Sequence, residues 1–260
     1  MQFKKILIIL CILIFCNKSF EHFDNSNNVV YLFWTGGFDS TYRLCELLLI
    51  ENKSVQPIYL TYNLDNLSYN KMWVRRNRKQ ERIAMNKIIK LIKEKNPDIK
   101  LYNRLRPIIY INRPTLKKEF VQRFNSLVLF PQKRRIHQYS HLAYEAYNRN
   151  KKIEIGVLGI HNQSNFYKFL KKHVSPENGF EIYDIDDRNP MKNLVFPLFE
   201  RSKEQLYDTA VKYEFTDILA ITWSCWFPTK DGNPCGLCPM CKERIIKHPV
   251  FEKLLEHFNQ

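Results

Sequence analysis

Acidic side chains are in short supply in this chain, glycine is scarcer still, and no apolar run is long enough for an ordinary membrane anchor. Asp and Glu number 26 against 41 Lys and Arg, a net charge of +15 and a pI near 9.5. That deficit excludes a surface that repels polyanions, and the surplus of cations suits tRNA or phosphate-rich small molecules. Glycine occurs only seven times in 260 residues. Together with the abundance of Asn, Ile and Lys, this is what codon bias in an AT-rich genome produces, so charge alone is weak evidence for nucleic acid. Internal repeats are absent, which excludes a solenoid. The longest apolar run, Ile6 to Cys16, is eleven residues, whereas a bilayer-spanning helix needs about 20.

What is present describes a folded α/β protein. An apolar share of 45%, with 14% aromatics, is ample for a packed core and excludes disorder as the starting point. Lys4 and Lys5 followed by the run at 6–16 match the charged and apolar parts of a secretory signal, but Asn17-Lys18-Ser19-Phe20 supplies no small-residue cleavage site. Residues 1–28 are therefore expected to form a signal-like or membrane-associating leader outside the fold. Val29 to Trp34 has strand length and composition, and Thr41 to Ile50 reads as a helix with Leu44, Leu47 and Leu48 on one face. Further expected strands are 55–61, 108–111 and 153–159; expected helices are 72–95 and 139–150. Ser202-Lys203-Glu204-Gln205 is a capping-box pattern opening a helix to about Tyr213, ahead of an apolar stretch at 218–222. Strands alternating with helices predict a doubly wound, mostly parallel sheet.

Between the first strand and first helix lies Thr35-Gly36-Gly37-Phe38-Asp39-Ser40. A strand that ends in Gly-Gly and restarts as a helix leaves backbone N–H groups converging on one concavity, at the positive end of the helix dipole. Gly36 and Gly37 place no Cβ between backbone and ligand. Thr35, Ser40 and Thr41 offer hydroxyls, and Asp39 suits either the helix cap or Mg²⁺. The pattern is neither a Walker loop nor a dinucleotide G-x-G-x-x-G turn.

A second chemical cluster sits near the other end. Cys225, Cys235, Cys238 and Cys241 follow the spacing C-x9-C-x2-C-x2-C. That is too tight for ordinary disulfides and natural for four thiolates around a tetrahedral structural Zn²⁺. An iron–sulfur cluster is the sharper alternative. Metal-held thiolates imply a reducing compartment. Cys11, Cys16 and Cys45 read as apolar filler. The expected division is then the leader 1–28, an ATP-binding α/β domain 29–222, and a four-cysteine zinc element with a C-terminal helix at 223–260.

The TGGFDS loop resembles the SGGxDS signature of the PP-loop ATP pyrophosphatases, with Thr35 in place of the first Ser. Together with Thr222, Ser224, Cys225 and the C-x2-C-x2-C run followed by Arg244, it resembles one branch, the 7-cyano-7-deazaguanine synthases of queuosine biosynthesis. Asn193 to Leu198 with Lys203 looks like that family's helix entry, which would let Lys203 reach ATP phosphates. The resemblance spans about residues 29–245. It implies an ATP-dependent, AMP- and pyrophosphate-forming C–N ligase that converts 7-carboxy-7-deazaguanine and ammonia to the nitrile, with ATP, Mg²⁺ and Zn²⁺ as cofactors. The implied nucleotide site is Phe33, Trp34, Thr35, Gly36, Gly37, Phe38, Asp39, Ser40 and Thr41, with Asp39, Ser40 and Lys203 catalytic and Cys225, Cys235, Cys238 and Cys241 on the metal. A cytoplasmic location and a homodimer fit such an enzyme, while a membrane contact through residues 6–16 and nucleic-acid contact stay open.

Two departures leave the choice of acid or amide open. The family's Tyr-Gly-Gln-Arg-His stretch after the second strand is not found here, where Arg75, Arg76, Asn77, Arg78 and Glu81 stand instead. Its acidic, aromatic base-reading loop after the strand ending at Gly159 is replaced by His161 to Tyr167. A second reading is another PP-loop adenylating enzyme, such as a tRNA-thiolating one. That would want a catalytic cysteine, for which only Cys45 is available within the fold. A third is a non-catalytic zinc-knuckle protein that binds nucleic acid, drawing on Arg75 to Lys79 and Lys133 to Arg135.

Overall fold

The computed structural model describes residues 29–61, 76–95, 103–128, 138–159, 165–183, 188–244 and 249–258. The expected leader, Arg75, Lys133 to Arg135 and His161 lie outside these residues. Among the described residues no helix is long and apolar enough to cross a membrane.

Five parallel strands form one sheet: β1 (Val29–Phe33), β2 (Ser54–Thr61), β3 (Ile109–Asn112), β4 (Ile153–Ile155) and β5 (Leu194–Val195), in the order β3-β2-β1-β4-β5. Every pairing between these five strands is parallel. Successive side chains of β1 point to opposite faces, so each face needs its own cover. Leu32 enters one core with Val55 and Tyr59. This core is roofed by α1 (Phe38–Cys45), its π-helical continuation Glu46–Ile50, α2 (Arg78–Lys95), α6 (Lys203–Lys212), α7 (Thr216–Ala220) and α9 (Pro249–Phe258). Phe33 enters the other core with Ile58, Ile153, Ile155 and Leu194, covered by α3 (Lys118–Val128), α4 (Gln138–Arg149) and α5 (Asn165–His173). The expected doubly wound sheet is thus present, and all of its strands are parallel.

Local expectations held unevenly. The capping box is complete, with Ser202 Oγ accepting from the Gln205 N–H at 3.2 Å and Gln205 Oε1 accepting from the Ser202 N–H at 2.8 Å. Strand β4 stops at Ile155 instead of continuing to Gly159, because its partners end there too: Ile155 pairs with Phe33, the last residue of β1, and β5 offers only two residues of edge. The apolar stretch at 218–222 packs as the short helix α7. A short α8 (Pro239–Lys242) ends the cysteine element.

The doubly wound order places strand connections in opposite directions on either side of β1. A crevice therefore opens between the carboxyl ends of β1 and β4, where ligands bind in such sheets. Behind it, the guanidinium of Arg43 on α1 makes a forked pair with Glu154 of β4, at 2.7 and 3.0 Å, and also pairs with Glu46 and Glu51. Burial opposes its charge, but these carboxylates outweigh that and push its pKa up. A buried guanidinium so enclosed fixes α1 against the β1–β4 crevice, and deleting one partner of such a pair costs about 3–5 kcal/mol.

On the opposite face, His141 of α4 is buried and its Nε2 accepts from Arg113 Nε at 2.8 Å. Burial first, and the Arg113 charge second, lower its pKa from 6.5 to about 4. The unfolded chain therefore takes up a proton that the folded chain refuses between pH 6.5 and 4, and stability falls as pH falls through that window. In urea titrations at pH 7 and pH 5, a His141→Gln variant, which keeps an acceptor for Arg113, is expected to lose less stability on acidification than the parent.

Candidate functional site

At the carboxyl end of β1 the chain must reverse from strand to helix within four residues. Gly36 does this with φ +71°, a left-handed value, and an added Cβ would lie 2.9 Å from Met85 Cγ and 3.3 Å from the Glu81 carbonyl. Its own carbonyl accepts from the Trp223 N–H at 2.9 Å. Gly37, the N-cap, carries no side-chain cap. The first-turn amides of Phe38, Asp39 and Ser40 therefore have no helical acceptor and present the positive end of α1.

The residues that carry these amides line an open cavity of about 570 Å³, within the range of small-ligand sites. Phe33, Trp34, Thr35, Gly37, Phe38, Asp39, Ser40 and Lys203 all line it. Gly36 and Thr41 are not among its lining residues. Thr41 lies behind the loop, fully buried, and its hydroxyl accepts from the Trp34 indole at 3.0 Å. The Trp34 ring itself belongs to the core, so what it brings to the cavity wall is mainly backbone. Ser40 Oγ donates to the Gly37 carbonyl at 3.3 Å and receives the Thr35 N–H at 3.4 Å, which braces the loop from inside.

Lys203, at the start of α6, reaches across to the loop. Its ammonium lies 2.8 Å from Glu243 and 3.6 Å from Asp39, and packs against the rings of Phe38 and Phe251 at 5.3 and 5.2 Å. Burial works against its charge, yet the two carboxylates outweigh burial and hold its pKa above the usual lysine range.

The structure adds residues that sequence reasoning did not single out. Gly156, just past β4, lets two backbones touch: a Cβ there would stand 2.8 Å from Ser40 N and 2.9 Å from Asp39 C. A Gly directly after a β strand was the available signal, and the contact itself is long-range. One side of the cavity carries Gln138, Tyr139, Leu142 and Tyr167; the other carries Asn77, Glu81 and Trp226. Glu81 is held by the Asn77 amide at 2.8 Å and the Tyr59 hydroxyl at 2.5 Å.

Close by, the sulfurs of Cys225, Cys235, Cys238 and Cys241 all lie within 4.8 Å of one another. The Cys235–Cys241 separation is 3.9 Å. A tetrahedron with metal–sulfur bonds of about 2.3 Å has edges of about 3.8 Å, so the set fits Zn²⁺. Backbone N–H groups of Cys235, Cys238 and Cys241 point at the sulfurs of Cys225, Cys235 and Cys238, at 3.2, 3.3 and 3.4 Å. Such donors stabilise thiolate charge. Four protein ligands leave no open position, which makes the site structural. Cys45, by contrast, is fully buried among leucines, and burial pushes its thiol far up, so it is no nucleophile.

A protein-family model described as "Queuosine biosynthesis protein QueC" matches residues 28–248. The chain belongs to this family. It is accordingly an ATP-dependent 7-cyano-7-deazaguanine synthase of the PP-loop type. Among solved structures, one that is similar is described as a predicted subunit of a tRNA methyltransferase from Methanocaldococcus jannaschii DSM. It is 13% identical and covers 71% of this chain and 74% of its own, with a TM-score of 0.30. No curated protein matches the chain.

Two outcomes are expected. Gly156→Ala pushes the first turn of α1 away from β4, destabilising the fold by about 1–3 kcal/mol and weakening ATP binding in calorimetry. Cys235→Ser removes bound zinc in elemental analysis and lowers Tm by at least about 5 °C; a well-folded variant of full activity would show that the metal is no staple.

Proposed function

We propose that the loop from Thr35 to Ser40 holds the phosphates of ATP while Lys203 neutralises charge that develops on them. The observation that carries this reading is the convergence of Gly37, Asp39, Ser40 and Lys203 on one open cavity at the β1–β4 crevice. The amides of Phe38, Asp39 and Ser40 receive phosphate oxygens at the helix terminus. Asp39, beside them, would hold Mg²⁺, which would supply positive charge to offset that of the phosphates.

The acid is 7-carboxy-7-deazaguanine. Its carboxylate oxygen bonds to the α-phosphorus of ATP, and the bond to the pyrophosphate breaks. Ammonia then takes the carbonyl carbon, AMP leaves with the oxygen, and an amide results. A second ATP places AMP on the amide oxygen with loss of pyrophosphate, and departure of that AMP with the last nitrogen proton gives the nitrile. The protein's share is to align the acid with the α-phosphate and to stabilise the departing pyrophosphate through loop amides and Lys203. Metal-held thiolates and a need for ATP suit a reducing, ATP-containing compartment, which supports the cytoplasm as the place of work.

Pyrophosphate release with 7-carboxy-7-deazaguanine and ammonia, with the nitrile weighed by mass spectrometry, tests the reading. Gly37→Ala is the most informative variant, because its Cβ would meet only Thr35 Oγ1 at 3.3 Å and the Trp223 carbonyl at 3.6 Å inside the protein. It is expected to keep the parent Tm and zinc content while losing at least about 100-fold in kcat/KM, a barrier change of about 2.7 kcal/mol. An equally active Gly37→Ala would remove the phosphate role from this loop.

A further inference from the structure

Lys203 and Asp39 serve opposite partners in the proposed site, an anion and a cation, and they stand close enough to cancel one another. An ammonium and a carboxylate this near attract one another, and such pairs prefer a hydrogen-bond contact near 2.8 Å. Lys203 instead makes that short contact with Glu243, and stands off Asp39 at 3.6 Å. Its ammonium also lies against the rings of Phe38 and Phe251, at 5.3 and 5.2 Å from their centroids, an attraction that helps to hold the head in place.

Glu243 owes its position to the cysteine element. It follows α8, whose N-cap is Cys238 and whose second and third residues are Met240 and Cys241. The next residue, Arg244, donates to the carbonyls of Thr222 and Ala220 at 2.5 and 2.9 Å. Glu243 is thus anchored on both sides, by the metal knuckle before it and by the arginine after it. It also lines the same cavity as the phosphate loop.

We infer that Glu243 is a positioning residue that holds the Lys203 ammonium off Asp39, keeping the lysine for phosphate and the aspartate for the divalent cation. This rests on the nucleotide site proposed above. The four-cysteine element then does more than staple the chain: it supplies the counter-charge that keeps two active groups from quenching each other. Neutralising Glu243 lets Lys203 close on Asp39, so a cation must compete with an internal ammonium.

The test is calorimetric binding of α,β-methylene-ATP at graded Mg²⁺ to the zinc-loaded full chain, for the parent, Glu243→Gln, Glu243→Asp, Lys203→Gln and the Glu243→Gln/Lys203→Gln double variant. Loss of one charge-assisted hydrogen bond corresponds to a change of about tenfold or more, so Glu243→Gln should raise the half-saturating Mg²⁺ concentration by about tenfold. Glu243→Asp should recover part of it. In the Lys203→Gln background the Glu243→Gln change should leave the Mg²⁺ requirement unmoved, because no ammonium remains to collapse. Equal Mg²⁺ requirements in parent and Glu243→Gln, or effects that simply add in the double variant, would overturn the inference while leaving the nucleotide site standing. Failure of the parent to bind the analogue at all would instead remove the proposed site itself.

Discussion

The turn from β1 into α1 is the constraint on which the rest of the molecule depends, because it must be tight, rigid and yet leave its amides uncovered. Three long-range contacts hold it. Trp223 donates to the Gly36 carbonyl, β4 comes against the backbone of Asp39 and Ser40 through the missing side chain of Gly156, and the Trp34 indole ties to Thr41 beneath. None of them uses the first-turn amides of Phe38 and Asp39. The Arg43 cluster, one turn further along α1, fixes the helix to β4 from behind. A helix terminus held in this way costs little reorganisation when an anion arrives, and preorganisation of that kind is where electrostatic catalysis gets its strength.

The cysteine element is part of the same construction. Trp223 connects the two ends of the site, since its backbone binds Gly36 and its indole donates to the Cys225 carbonyl at 2.8 Å. The segment before α2 joins in, with the Arg76 N–H donating to the Trp226 carbonyl at 2.9 Å. The cysteine element is therefore tied by hydrogen bonds both to the turn before α1 and to the segment before α2. The arrangement also argues against thiolation as the chemistry: the four cluster thiols are grouped as a metal-ligand set, and Cys45 is sealed in the core.

The two flanks of the cavity differ in kind, one aromatic and apolar around Tyr139, Leu142 and Tyr167, the other polar around Asn77, Glu81 and Trp226. Phe33 at the end of β1 and Ile155 at the end of β4 line the same cavity, at the crevice where the strand order reverses.

Much of this was legible in the amino-acid sequence, wherever the physics is local. The capping box at Ser202, the Gly-Gly turn before α1 and the C-x2-C-x2-C knuckle each act over a few residues, so spacing alone identified them. The alternation of strands and helices likewise implied a parallel sheet. What depends on approach between distant segments was not legible: that Thr41 faces the core instead of the cavity, that β4 ends at Ile155, and that Gly156 and Glu243 line the same cavity as the turn before α1. Residue types and short spacings determine which chemistry the chain can perform, because turn geometry and ligand sets are local properties. Only the tertiary structure decided which of those groups face one another, because strand order and helix packing bring together residues more than a hundred positions apart.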